Sequence, residues 1–213
     1  LTSQMSTVLQ NRRLLEQTAS ALDETRRLYD ASRAISGASD AKGIYAAASA
    51  NLLSPTNPAT RISVLIAGPS PLEPARYYDY EYIWSRDKNA ENDENRRIPE
   101  ELVSFVSVLK DHRDLLLVND HRRDLKKYPA LASLLERRGS LSAVMVPVRT
   151  RARWFGVILI ENSAPNTFDL AYGRFVAAVA DQMALALESQ QLFAEAQDQA
   201  QRALALAEAS QFA

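Results

Sequence analysis

The chain has no cysteine among its 213 residues. Disulfides, thiolate metal sites, cysteine nucleophiles and a thioether-linked bilin are excluded together. Histidine is nearly as scarce: His112 and His121 are too far apart in sequence to hold a metal from one helix or strand. Glycine occurs six times, never in a phosphate-cradling loop or a Gly-x-Ser-x-Gly elbow. An excess of charge is missing too. Lys and Arg total 25 against 26 Asp and Glu, which leaves no electrostatic case for nucleic acid or an anionic membrane. No uninterrupted apolar run approaches the roughly 18 residues of a membrane span, and no signal peptide is visible. The segment is expected to be soluble and cytoplasmic, without membrane contact, and an excerpt of a longer protein. No set of titratable groups converges on a catalytic constellation, so no enzymatic activity is expected of it.

What is present is helix at both ends and strands between. Residues 1–36 hold neither proline nor glycine and are rich in Leu, Ala, Gln, Glu and Arg, which dictates helix. Leu1, Val8, Leu15, Leu22 and Tyr29 recur every seven residues, while the companion seam (Met5, Arg12, Ala19, Arg26, Arg33) is weak. One strong seam suits a helix packed on one side in a bundle. Gly37 to Asp40 breaks it and supplies caps for a second helix over about 41–53. Arg61 to Ala67 reads as a strand. Tyr77 to Trp84 reads as another, and strict alternation puts Tyr78, Tyr80, Tyr82 and Trp84 on one face. Residues 86–97 carry eight charges and no large apolar side chain, hence a solvated loop. Pro99 is placed to start a helix whose apolar face is Leu102, Phe105, Val106 and Leu109. A short strand, Leu115 to Val118, and a helix from Pro129 to a glycine stop at Gly139 follow.

The closing half is the most informative. Leu141 to Val148 and Trp154 to Glu161 are two apolar, β-branched runs joined by a short basic connection, which reads as a hairpin. Ser140 followed by Pro147-Val148, then Phe155-Gly156-Val157-Ile158-Leu159-Ile160, Phe168, and Phe175-Val176 through Val179-Ala180-Asp181-Gln182-Met183-Ala184 to Ala186-Leu187 resembles the closing half of a GAF domain. The resemblance spans about residues 28–192. It implies an α+β fold related to PAS domains: a central antiparallel sheet of five or six strands flanked by helices. The expected organisation is a signalling and dimerisation helix at 1–36, a sheet domain at 37–168, and a C-terminal helix at 169–213 whose first half packs on the sheet.

The resemblance also implies a ligand pocket between the sheet and the segment from about Trp84 to Asp120. Tyr78, Tyr80, Tyr82 and Trp84 would supply walls with polar handles, and Phe105, His112 and Asp120 would stand at its lid. The competing account is that the aromatic row is plain core. Covalent bilin lacks its cysteine, as does the methionine-sulfoxide-reducing branch of the family. Cyclic-nucleotide members carry an Asn-Lys pair, a Phe and an acidic pair; Asn162 and Phe168 match, but Ser163 and Tyr172-Gly173 depart, which disfavours that ligand. Haem would need His112 or His121 as axial ligand, and both stand in polar surroundings. The cofactor stays unknown. The basic residues from Arg122 to Arg138, Arg138 included, are interleaved with acids and read as a solvated face.

As a whole the resemblance implies a non-catalytic sensory and dimerisation module of a larger signalling protein. A sensor histidine kinase is the first candidate; a second-messenger cyclase, a phosphodiesterase or a transcription regulator is the alternative. A purely structural module with a filled core is the competing class. Its partners would be a second copy in parallel, a downstream output domain in the same chain, and a small molecule. A helix over 169–210 is about 60 Å long against a sheet domain about 35 Å across, so part of it must project. Phe193 and Leu204 on that projection need a partner, and the Val8–Leu15–Leu22–Tyr29 seam is the nearest candidate, giving a four-helix bundle from two chains.

Overall fold

A computed structural model describes residues 2–53, 59–68, 77–86, 97–99, 106, 109 and 115–211. Helix α1 (Thr2–Ser36) leads into α2 (Ala41–Leu52), then strands β1 (Arg61–Gly68), β2 (Tyr77–Ser85), β3 (Arg97–Pro99) and β4 (Leu116–Val118). The short α3 (His121–Asp124), α4 (Pro129–Arg137), the hairpin β5 (Ser142–Arg149) and β6 (Trp154–Asn162), and the long α5 (Leu170–Gln211) complete it. The six strands form one sheet in the order β3-β2-β1-β6-β5-β4, with antiparallel neighbours throughout. The expected α+β architecture is therefore present, with six strands.

Local chemistry sets most boundaries. The Asp40 carboxylate accepts from Gly43 N at 2.7 Å and opens α2. Asp169 does the same for α5 through Tyr172 N at 2.7 Å. Pro129 occupies the first turn of α4, and Gly139 ends the turn after it at φ 66, the left-handed region where glycine is favoured. The tip of the β5–β6 hairpin closes through Thr150 N donating to Arg153 O at 2.9 Å. The Thr150 hydroxyl donates to Glu188 and Arg153 pairs with Glu195 at 3.3 Å, so the tip is fastened to the middle of α5.

Two cores lie on opposite faces of the sheet. On one, Phe175, Val176, Val179, Met183 and Leu187 of α5 pack with α1 and α2 over Ile62, Val64, Val144, Val146, Ile158 and Ile160. Spacing of three and four along α5 gives that apolar face, each residue contributing about 1.5–3 kcal/mol by burial. On the other, Leu65, Met145, Val157 and Leu159 are covered by Leu131 and Leu135 of α4, by Leu125, and by Val106 and Leu109. Gly156 lies where β6 crosses β1, and an added Cβ would sit 1.9 Å from Leu65 O. That closeness joins the two halves of the sheet.

Four expectations are corrected. Residue 97 is not loop and Pro99 does not start a helix: Arg97–Pro99 is an edge strand on β2, a place where a proline costs no ladder bond. Val106 and Leu109 are helical and buried as expected, while the rest of that helix lies outside the described residues. By hydropathy, Leu170–Ala205 of α5 is long and apolar enough to cross a membrane, although no uninterrupted apolar run exists. Its first half covers the sheet through Phe175 to Leu187, as a core helix does.

The third correction concerns β2. The β1–β2 register pairs Leu65 with Tyr80 but Val64 with Tyr82, leaving Glu81 without a partner. One extra residue in a strand reverses the parity of everything beyond it. Tyr78 and Tyr80 therefore pack with the α4 core, whereas Tyr82 and Trp84 pack with the α5 core. Ile83 joins the Tyr80 side. The aromatic row is split between two faces.

The fourth concerns the terminal helices. Arg27 stacks on the Phe175 ring at 4.4 Å, Ser32 bonds Gln182 at 3.0 Å, and Gln190 reaches Ala38 O at 3.4 Å. Both residue series ascend together, so α1 and α5 run side by side in the same direction. The early part of α1 then projects from one end of the domain and the late part of α5 from the other. The Leu15–Leu22 seam does not cover Phe193 and Leu204 of its own chain.

Candidate functional site

Glu161, the last charged residue of the apolar strand β6, faces the α4 side and is completely buried. Arg138, just past the end of α4, meets it: Nη1 donates to Glu161 Oε2 at 2.8 Å, and Nη2 donates to the Tyr80 hydroxyl at 2.7 Å. Arg138 is not part of a solvated face; its side chain is only 10% exposed. Burial works against the Arg138 cation, but Glu161 and Tyr80 outweigh it and raise its pKa. Burial, assisted by Glu161, raises the Tyr80 pKa against the opposing pull of Arg138 and Arg61. Glu161 Oε1 accepts no hydrogen bond among the described residues. Arg61 stands opposite Glu161 in the β1–β6 register and is itself buried.

Beside this pair lies a cleft of about 370 Å³ at the end of the sheet where β1 begins, β2 and β6 end, and α4 turns into β5. Arg61, Arg86 and Arg138 line it with the hydroxyl-bearing Ser85, Ser140 and Ser163. A second cavity of about 270 Å³, between Ile35, Ile44 and Leu185, lies where α1, α2 and α5 meet.

Of the residues expected in a pocket, Tyr78 and Tyr80 share the α4 face, while Tyr82 and Trp84 stand half-buried on the opposite one. Phe105 and His112 lie outside the described residues. Asp120 caps α3, its Oδ1 accepting from Arg122 N at 3.1 Å, and pairs with the Arg122 side chain at 2.6 and 2.8 Å. Those hydrogen bonds lower the Asp120 pKa to about 2. His121 is buried at the start of α3, and its Nδ1 has no partner among the described residues. No group of three His, Cys, Asp or Glu suited to a metal occurs among the described residues.

Sequence reasoning missed Glu161, Arg61 and Arg138 as a set. The signal for Glu161 was visible: a lone carboxylate ending an otherwise apolar strand. The cations that answer it come from residues 61 and 138, which only folding brings near.

On the terminal helices the seam residues Leu15, Leu22 and Tyr29 are 72%, 66% and 64% exposed, and on α5 Phe193 and Leu204 are each 65% exposed. Leu14, Leu185 and Leu192 are exposed as well. Val8 lies in α1, and its side chain is outside the described residues.

Matching the sequence against protein families returns the GAF domain over residues 14–187. No curated protein matches the chain. Among solved structures, the chromophore-binding domain of an unusual bacteriophytochrome, RpBphP3 from R. palustris, superposes with a TM-score of 0.62 at 11% identity. That alignment covers 80% of this chain and 62% of the other. The longer bacteriophytochrome RpBphP3 gives a TM-score of 0.61 at 12% identity over 78% of this chain and 36% of that one. This chain thus spans under two thirds of either, and at such identity the likeness concerns the fold. With the family match extending from the exposed part of α1 to the middle of α5, the chain belongs to the GAF domain family of sensory modules.

Proposed function

We propose that this GAF domain is a cytoplasmic sensory and dimerisation module of a larger signalling protein, acting as a parallel homodimer. The observation that supports it is the pair of exposed apolar seams on helices leaving opposite ends of the sheet domain. Residues 2–26 of α1 extend about 37 Å and residues 191–211 of α5 about 31 Å, at 1.5 Å per residue. Leu15, Leu22 and Tyr29 at intervals of seven, exposed, form a stripe that a second copy of the same stripe would bury. Because the two seams point in opposite directions, each requires its own counterpart. A parallel second copy supplies α1 to α1 at one end and α5 to α5 at the other. The sheet domain then lies along a continuous helical path, and a ligand on the Tyr80–Arg138 side would bias the packing of α5 through the sheet.

The parent is proposed to be a sensor histidine kinase, with a cyclase, a phosphodiesterase or a transcription regulator as the alternative and an output domain downstream of α5. A purely structural role is favoured by one observation: Tyr78 is wholly buried among the apolar side chains of the α4 core. The cleft beside Arg138 favours sensing.

Because the chain has no cysteine, single substitutions make clean cross-linking probes. Leu22→Cys and Phe193→Cys should each form a disulfide with the same residue of a second copy under mild oxidation, since the bond needs Cα atoms about 4.4–6.8 Å apart. Cross-linking only in a mixture of the two variants would show an antiparallel pair. A wild-type chain that stays monomeric by light scattering at micromolar concentration, with both helices formed, would sink the proposal.

A further inference from the structure

The cleft at the end of the sheet combines three features. Arg61, Arg86 and Arg138 line it, and no carboxylate is among the described residues lining it. Arg61 is 8% exposed and the Arg138 side chain 10%, so two of the three cations are largely withdrawn from water. Withdrawing a guanidinium is costly without a counter-charge. Behind the wall, Glu161 accepts from Arg138 and stands opposite Arg61 in the β1–β6 register.

The guanidinium of Arg138 is also held in place. Its two terminal nitrogens are engaged by Glu161 and Tyr80, and its central carbon lies 5.6 Å from the Tyr80 ring centroid. A guanidinium has five N–H donors in a rigid fork; two are accounted for by these bonds. Fixed donors facing a cleft lose little entropy when a ligand arrives. Ser85 and Ser140 are buried in the same wall and Ser163 stands at its exposed rim. Hydroxyls beside guanidinium groups are the donor set that carboxylate and phosphoryl oxygens accept from. The volume of about 370 Å³ falls within the range of small-molecule sites.

We infer that this cleft is a binding site for a small oxyanion-bearing metabolite, its carboxylate or phosphoryl group held by Arg61, Arg86 and Arg138. The inference rests on the sensing reading above and gives its ligand a chemical class. It also places the site at the end of the sheet, where Tyr80 of the split aromatic row reaches it through Arg138. The anion would sit on the guanidinium that bonds both Tyr80 on β2 and Glu161 on β6, which ties occupancy to the two strands flanking β1.

The test uses the full chain with two probes, inorganic phosphate and succinate, each against sodium chloride at matched ionic strength. Calorimetric titration and the thermal midpoint are read together. At least one probe should bind and raise the midpoint beyond the chloride control. Arg86→Ala, at an exposed position, should weaken that binding about tenfold, the worth of one charge-assisted hydrogen bond, with the unliganded midpoint of the variant as the folding control. Arg61→Gln should weaken it further if it folds; if it does not, Arg86→Ala alone decides. The probe that binds distinguishes a phosphoryl from a carboxylate ligand. Binding of neither beyond chloride, or binding unaltered in Arg86→Ala, overturns the inference. Light scattering on the same samples separates the anion site from the dimer, since a chain that binds the anion yet remains monomeric refutes only the dimer.

Discussion

Replacing Arg138 by methionine removes the cation from Glu161 while preserving much of the aliphatic volume. The carboxylate it leaves is completely buried, and its other oxygen already lacks a partner among the described residues. Breaking a buried pair from one side costs about 3–5 kcal/mol, because the remaining charge is neither hydrated nor neutralised. Arg61 lies opposite Glu161 in the register and takes part of that load, so the lower end, about 3 kcal/mol, is expected. Against a total stability of roughly 5–15 kcal/mol for a domain, that is a large fraction. The double variant Arg138→Met with Glu161→Leu should recover most of the loss, since an apolar pair of similar volume needs no desolvation. Recovery should stop about 1 kcal/mol short, because the Tyr80 hydroxyl then loses its donor, and adding Tyr80→Phe should close the gap. Urea unfolding followed by far-UV circular dichroism measures these four proteins and the Glu161→Leu single that completes the cycle. An Arg138→Met variant within about 1 kcal/mol of wild type, or a double variant as unstable as the sum of its singles, would refute the burial argument.

Two further outcomes follow from single residues. Gly156→Ala should destabilise by about 3 kcal/mol or more, because its Cβ meets backbone that cannot step aside; Gly139→Ala, with open space but φ 66, should cost only about 1–2 kcal/mol, and thermal melts that rank the two the other way would contradict the β1–β6 contact. Asp120, with its folded pKa lowered to about 2 by Arg122, contributes stability that is complete above about pH 4 and disappears as pH falls through 2; an NMR titration that finds the carboxyl midpoint near 4 would show the cap and ion pair absent in solution.

The elements of this fold were legible because their causes are local. Asp40 and Asp169 cap helices through nitrogens three residues on, and Pro129 and Gly139 bracket α4 whatever else the chain does. The continuous apolar runs of β5 and β6 need no knowledge of neighbours, and the GAF pattern is written across those two strands and the first half of α5. The candidate site was legible only in fragments. The sequence marks Tyr80, but for an aromatic wall that does not exist as one surface; it does not mark Glu161 as a site residue, and its pattern reads Arg138 as solvated.

The amino-acid order by itself determined the helix and strand types outside β3 and the short α3, the apolar stripe on α5 that covers the sheet, and the exposed seam of Leu15, Leu22 and Tyr29, since each follows from the repeat of the backbone. Three things only the tertiary structure decided. The unpaired Glu81 reversed the faces of Tyr82 and Trp84, because a bulge is a property of two strands and not of one. The common direction of α1 and α5 sent their free ends apart, because it is set by how both dock on the sheet. The burial of Arg138 on Glu161 required residues 23 positions apart to meet across the α4 core, where the withdrawal of water gives the pair its strength.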